Sequence, residues 1–264
     1  MVEMDCKRIP GLFREEIRKG NWRKTTVGMC PGYVQANLVI LPKEFAFDFT
    51  LFCLRNPQPC PILEILDPGD PRVRDMAAGA DIRTDLPGYR VFRNGELVEE
   101  RPEIKECWRS DLMAFLIGCS YTFEEALVRG GVPIRNYLQQ KDPGIYVSSI
   151  PCRPAGIFSG PMVVTMRPIP HRLVSRAVQI TSRFLKAHGA PVHVGDGARI
   201  GIPDLKRIDF GEVPEIEEGE VPVFWGCGIT PQMAAIESRV PFMITHMPCH
   251  MFVSDVTIEE LAIS

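Results

Sequence analysis

The segment Val221–Gln232, reading VPVFWGCGITPQ, constrains the fold of this chain more than any other stretch. Val221, Val223, Phe224 and Trp225 are strand formers. Gly226 and Gly228 allow a sharp turn and leave room beside the backbone. Thr230 suits an N-cap and Pro231 the first helical position, where no N–H is needed. The segment therefore predicts a buried strand, a small-residue turn and a helix start. In an α/β sheet such a turn offers N–H groups at the carboxyl end of a strand, where ligands usually bind. A helix N-terminus there favours an anion. An ordinary tight strand–helix turn uses the same residues, so local chemistry leaves both readings open.

A chain of 264 residues suits one large domain or two small ones with a sizeable core. Charged residues make up 24% and apolar residues 45%, a globular balance. The net charge of −3 and the lack of a basic stripe argue against nucleic acid as a partner. The longest apolar run, Leu112–Cys119, is far short of the ~20 residues that span a bilayer, so no membrane role is expected. The acidic, polar start Met1–Cys6 does not read as a signal peptide. Nine cysteines, irregularly spaced and without C-x-x-C, read as reduced thiols of a cytoplasmic protein. The 24 prolines are spread out, which suggests many short elements joined by fixed loops. A homo-oligomer is left open.

Periodicity predicts a helix within Asp5–Lys19, a mixed stretch at Val34–Leu41, and a helix opened by Pro42 and ended at Asn56-Pro57. Pro61–Leu66 reads as a strand and Tyr89–Val98 as a hairpin turned at Asn94-Gly95. Asp111–Gly118 and Thr122–Arg129 read as helices, the second opening on a capping-box pattern at Thr122–Glu125. Strands follow at Tyr146–Ile150 and Pro161–Arg167, then a helix Arg172–His188 stopped by Gly189, and strands at Val192–Val194 and Phe242–His246. The alternation implies an α/β protein. Residues 1–105 and 190–264 are expected to form a discontinuous core, with 106–189 an inserted α+β unit.

Two polar clusters follow short apolar runs: Pro191–Gly197, with His193 and Asp196, and Ile244–His250, with His246 and His250. Ends of strands are usual places for site residues, and histidine titrates near neutrality. Each histidine could equally be a satisfied core or surface residue. A metal is not expected, because Pro248 interrupts the His246–Cys249–His250 spacing and no zinc pattern is met. Cys227 at a helix start could be an activated thiol or a small packing residue. Arg83, Arg153 and Arg167 could hold carboxylates bidentately or pair with nearby acids, as Asp81 and Asp85 could with Arg83. Gln35 and Asn37 could bond a ligand or cap a turn.

Taken together, these strings resemble the D-glutamate cyclase family of hydro-lyases. The resemblance rests on Pro31–Leu38 (PGYVQANL), Arg55-Asn56-Pro57, Asp81–Pro87 (DIRTDLP) and Gly118–Glu124 (GCSYTFE). It continues through Gly160–Pro168 (GPMVVTMRP), His188–His193 (HGAPVH) and Phe224–Gln232 (FWGCGITPQ), in order over nearly the whole chain. The chain departs from the family pattern at Asn136, Gly197 and Cys249, where histidine, proline and glycine are expected. The resemblance implies a three-layer α/β core with a smaller two-layer α+β subdomain. It implies conversion of D-glutamate to 5-oxo-D-proline and water, a step of D-amino acid metabolism in which the α-amine attacks the γ-carboxyl. The small-molecule substrate would then be a carboxylate-bearing amino acid. That reaction needs a base near neutrality, for which His246 or His193 is suited. It needs oxyanion donors, available around Gly226, Gly228 and Thr230, and an arginine for the α-carboxylate. No G-x-x-x-x-G-K-[ST] stretch is present, so nucleotide activation, and any cofactor, is not expected. Another hydro-lyase, or an amino-acid-binding protein without catalysis, would use much of the same equipment. His193, Asp196, His246 and His250 are expected to converge on the Trp225–Gln232 turn, on the premise that parallel strands carry them to one sheet edge.

Overall fold

The structure, a computed structural model, describes residues 9–139 and 141–263. The chain folds into helices and two antiparallel sheets, a mixed α/β architecture. Helix α1 covers Pro10–Arg18; the earlier part of the expected helix, and Cys6, lie outside the described residues. The stretch at Val34–Leu41 resolves into one long strand, β1, Tyr33–Pro42. Pro42 then opens α2, Lys43–Arg55, as its missing N–H allows. Strands β2 (Ile62–Ile65), β3 (Tyr89–Arg93) and β4 (Glu96–Arg101) follow. The β3–β4 turn has positive φ at both Asn94 (49°) and Gly95 (80°), as a type I′ hairpin requires.

Leu112–Gly118 is not a helix but strand β5, paired with β1 on one side and β2 on the other. Its run of leucine, methionine and alanine suits a helix by propensity. The run lacks helical periodicity because nearly every side chain is covered, as in a central strand. Helices α3 (Tyr121–Arg129) and α4 (Arg135–Gln139) precede β6 (Gly144–Pro151) and β7 (Pro161–Pro170). Helix α5 is shorter than expected, Val174–Thr181, with 3-10 turns at His171–Leu173 and Leu185–Ala187 near the ends of the expected span. Then come β8 (His193–Val194), β9 (Glu220–Gly226), α6 (Thr230–Glu237), β10 (Met243–His246), β11 (Phe252–Thr257) and α7 (Ile258–Leu261).

The large sheet runs β2-β5-β1-β10-β3-β4, with β11 also on β1. Alternate residues of β1 explain its layers. Ala36, Leu38 and Ile40 pack with Phe123 and Leu127 of α3 and Ala177 of α5. Val39 and Leu41 pack with Phe49 and Phe52 of α2 and with Ala234 and Ala235 of α6. Helices thus cover both faces, which makes three layers. The small sheet, β6-β7-β9-β8, turns Val223 and Trp225 toward α5 and the main core. Phe224, on the other face, packs with Tyr146, Met166 and Ile202.

The sheets do not divide at the expected boundaries. β5 lies in the large sheet, and β8 and β9 complete the small one, whose strands run from Gly144 to Gly226. The expected parallel arrangement is also absent among the described residues, where every strand pair is antiparallel. No helix among the described residues is long and apolar enough to cross a membrane.

Candidate active site between the two sheets

The β9–α6 turn forms as its residues predict, and its two glycines have physical causes. A Cβ on Gly228 would lie 2.0 Å from Nδ2 of Asn37, and one on Gly226 would lie 3.1 Å from Cα of Pro59. The turn is therefore pressed against β1 and the Gln58-Pro59 segment instead of opening as a bare N–H cradle. Its amides are partly spent: Cys227 N–H donates to Val163 O, and Thr230 N–H to Cys227 O. Thr230 is the first helical residue, not the N-cap; its hydroxyl accepts from Val163 N–H and donates to Cys227 O. Gly228→Ala is expected to cost about 1–3 kcal/mol, the usual range for forcing extra atoms into a packed site. Urea unfolding measures it, and wild-type stability would contradict the packing described.

Asn37 links the turn to a buried histidine. Its Nδ2 donates to Gly118 O at 2.8 Å, and its Oδ1 lies 3.1 Å from Nε2 of His246. His246 ends β10 and is 2% exposed. Its Nδ1 sits 2.5 Å from Met247 O and so carries the ring proton, while Nε2 accepts from Gln232 Nε2 at 2.8 Å. Burial pushes His246 down to about 4, so the ring is neutral at neutral pH. Asn37 Oδ1 is placed to accept from Nε2 whenever that nitrogen takes up a proton.

The second half of the site is centred on Arg167 of β7, which is 1% exposed. It donates from Nε to Glu124 Oε1 at 2.7 Å, from Nη1 to Thr165 Oγ1 at 3.0 Å and from Nη2 to Ser120 Oγ at 3.0 Å. Its guanidinium also lies over the Phe123 and Trp225 rings. Glu124, fully buried, accepts further from Asn136 Nδ2 at 2.8 Å. The β5–α3 corner joins the halves, with Gly118 O taking Asn37 and Ser120 Oγ taking Arg167. His188 is also buried in this region, its Nδ1 2.8 Å from Gln58 O. Burial pushes it down to about 4.

The other expected site residues stand apart or are already engaged. Cys227 packs with Ile145, Val163 and Ile229. Burial pushes its thiol up to about 11, which removes the case for an activated nucleophile. His193 bonds Asp196 O at 2.8 Å, and exposed Asp196 caps Ala198 N–H. His193 pairs with Phe224, whereas Arg167 pairs with Val223; adjacent strand residues face opposite ways, so His193 and Arg167 are on opposite faces of the small sheet. His193 therefore shares no sheet face with Arg167. Half-buried His250 bonds the Pro248 carbonyl at 2.6 Å. Arg83 is held by Asp81, and exposed Arg153 has its backbone, not its side chain, fixed by Asn56. Gln35 holds the Thr26 and Met29 carbonyls through Nε2.

Sequence reasoning passed over Glu124, Ser120, Gln232 and His188 as site residues. The expected capping box at Thr122–Glu125 does not form: α3 has no side-chain cap, Thr122 faces Gln35, and Glu125 pairs with Arg129. Glu124, inside that string, instead accepts from Arg167.

His188 and His246 make stability depend on acid. Both have folded values near 4, below the ordinary 6.5. The unfolded chain therefore binds protons between about 6.5 and 4 that the folded chain refuses, and stability falls as pH drops through that window. Unfolding midpoints taken from pH 7 to pH 4 should decline, less steeply in His188→Gln. An equal slope in the variant would contradict the assignment.

Buried polar side chains from both sheets thus meet along one seam. A model of the D-glutamate cyclase family matches residues 113–255. Relatives named “putative hydro-lyase” include those of Geobacillus kaustophilus, 54% identical over 95% of both chains, and Stutzerimonas stutzeri, 54% identical over 96% of both. A third, from Thermoanaerobacter sp. strain X514, is 53% identical over 96% of both. A solved nitrogen repressor-like protein from Methanococcus jannaschii aligns over 96% of both chains at 12% identity and a TM-score of 0.42, too loose a likeness to carry an argument. The protein is a lyase acting on a small molecule. The chain belongs to the D-glutamate cyclase family.

Proposed function

We propose that the seam between the sheets removes one water from D-glutamate and closes it to 5-oxo-D-proline. The activity is supported by the family match over β5 to β11 and by the resemblance of the motifs around the seam. The observation that carries the chemistry is His246, a neutral imidazole held between a donor, Gln232 Nε2, and an acceptor, Asn37 Oδ1. Such a ring can take a proton on Nε2 and donate it to Asn37 Oδ1, provided that the Gln232 amide, its N–H then facing a donor, turns aside. A carboxylate bound beside it favours the charged ring, so proton uptake becomes contingent on substrate.

In this reading the α-ammonium gives up a proton to His246, and the freed amine attacks the γ-carboxyl carbon. The tetrahedral centre forms in a dry site, where fixed dipoles and the Arg167 charge count for more than in water. His246 returns the first proton to one γ-oxygen and the nitrogen's second proton joins it, so that oxygen departs as water, the lactam keeps one N–H and the ring is neutral again. Folding glutamate into the attacking pose supplies much of the rate. Arg167 contributes its field from a fixed position, because Glu124, Thr165 and Ser120 hold it.

The test is incubation of the purified protein with D-glutamate, without nucleotide, read by mass. A product lighter by one water is expected. D-glutamate left unchanged against a no-enzyme control would refute the substrate.

A further inference from the structure

We propose that the outer face of α2 is a contact between two copies of this chain, with the two helices packed antiparallel about a two-fold axis. The assignment does not depend on the cyclisation reading. Helix α2 buries Ala46, Phe49, Phe52 and Cys53 in the core on one side. A surface helix ordinarily turns polar residues to the other side. Here that side carries Phe47, 77% exposed, and Leu54, 66% exposed, the two most exposed large apolar side chains among the described residues. Half-buried Leu51 lies between them. The spacing i, i+4, i+7 sets all three on one stripe. Single exposed apolar residues need no explanation, but a stripe of them on a firmly packed helix marks a contact surface.

The charges beside the stripe identify what covers it. At about 100° per residue, Glu44 and Arg55 fall on one edge of the stripe and Lys43 on the other. Glu44 is in the first turn and Arg55 in the last, and both are exposed. Arg55 donates to the Pro154 carbonyl, and neither residue has an ion-pair partner among the described residues. A two-fold axis that reverses one helix against the other keeps each edge on its own side. Phe47 then meets the copy's Leu51, and Glu44 meets the copy's Arg55, each contact occurring twice. Lys43 meets Leu54, on the opposite edge from either arginine. The face therefore complements itself in apolar pattern and in charge, as an isologous contact requires. Asp48 is turned against Gly156, off the stripe, and brings the Pro154–Ile157 loop alongside. Ile157, 47% exposed, adds to the apolar surface there, its carbonyl held by Ser238 Oγ. One helix face and one loop make a small interface, so the expected Kd is in the micromolar range.

Sedimentation velocity of the intact protein over a dilution series is the test. Wild type should approach twice the chain mass at high micromolar concentration. Phe47→Glu should raise Kd about 100-fold or more, the scale for losing an aromatic anchor from the middle of an interface. Because Phe47 stands largely in water, the variant should melt with the wild type at dilutions where both are monomeric, which separates a lost contact from a lost fold. Glu44→Arg and Arg55→Glu, each alone, should weaken the dimer about tenfold, as both copies of an exposed pair are reversed. The double variant should regain most of the loss, because the antiparallel register exchanges the two charges. A wild type that stays monomeric, a dimer undiminished in Phe47→Glu, or a double variant no tighter than the single ones would each overturn the assignment. D-glutamate turnover does not enter the readout, so failure of the cyclisation reading leaves a distinct result.

Discussion

Arg167→Met is expected to destabilise the protein by about 3–5 kcal/mol, the range for breaking a buried ion pair by removing one partner. The substitution leaves Glu124, with no exposed surface, bonded by Asn136 with its charge uncompensated. The methionine chain fills much of the space between Phe123 and Trp225, so a cavity is a minor part of the cost. Combining it with Glu124→Gln should recover a large share of the loss, because the orphaned charge disappears with its partner. Urea unfolding of the two single variants and the double variant gives the coupling between the residues. Loss in the double variant equal to the sum of the single losses would contradict a coupled pair.

His246→Gln is expected to lower kcat/KM for D-glutamate by about 10²–10⁴-fold, the usual contribution of a positioned acid–base group. The loss should fall on kcat with KM little changed, since the ring is proposed to move protons more than to hold substrate. Glutamine keeps a side chain able to bond Gln232 and Asn37, so the variant should remain folded. The wild-type acid limb should fall toward pH 4 and not near 6.5, because the free-enzyme ring titrates at about 4. A variant with wild-type kcat, or a wild-type limb near 6.5, would count against His246 as the proton carrier.

The parts of the fold legible in sequence were those set by local chemistry. Asn94-Gly95 dictated its turn through two positive-φ positions, and Pro42 and Pro231 marked helix starts through their missing N–H groups. The β9–α6 turn was readable because its glycines and Thr-Pro all point the same way. Elements settled by tertiary burial were not. Leu112–Gly118 has helical propensity but both faces covered by a sheet and its helices, and no local signal reports that. Antiparallel order was invisible for the same reason. The family strings drew attention to Asn37, Arg167 and Gly118–Glu124, and the seam does contain them. What they could not give was division of labour: Cys227 packs, Thr230 ties the turn to β7, and Glu124 holds the central arginine.

The most direct measurement follows D- and L-glutamate side by side with purified wild-type protein and His246→Gln, no nucleotide added, by chiral separation and mass. The account predicts that wild type converts D-glutamate to 5-oxo-D-proline, releasing one water per turnover, and that the variant does so far more slowly. Unchanged D-glutamate with folded wild-type protein, or equal rates for wild type and variant, would contradict it.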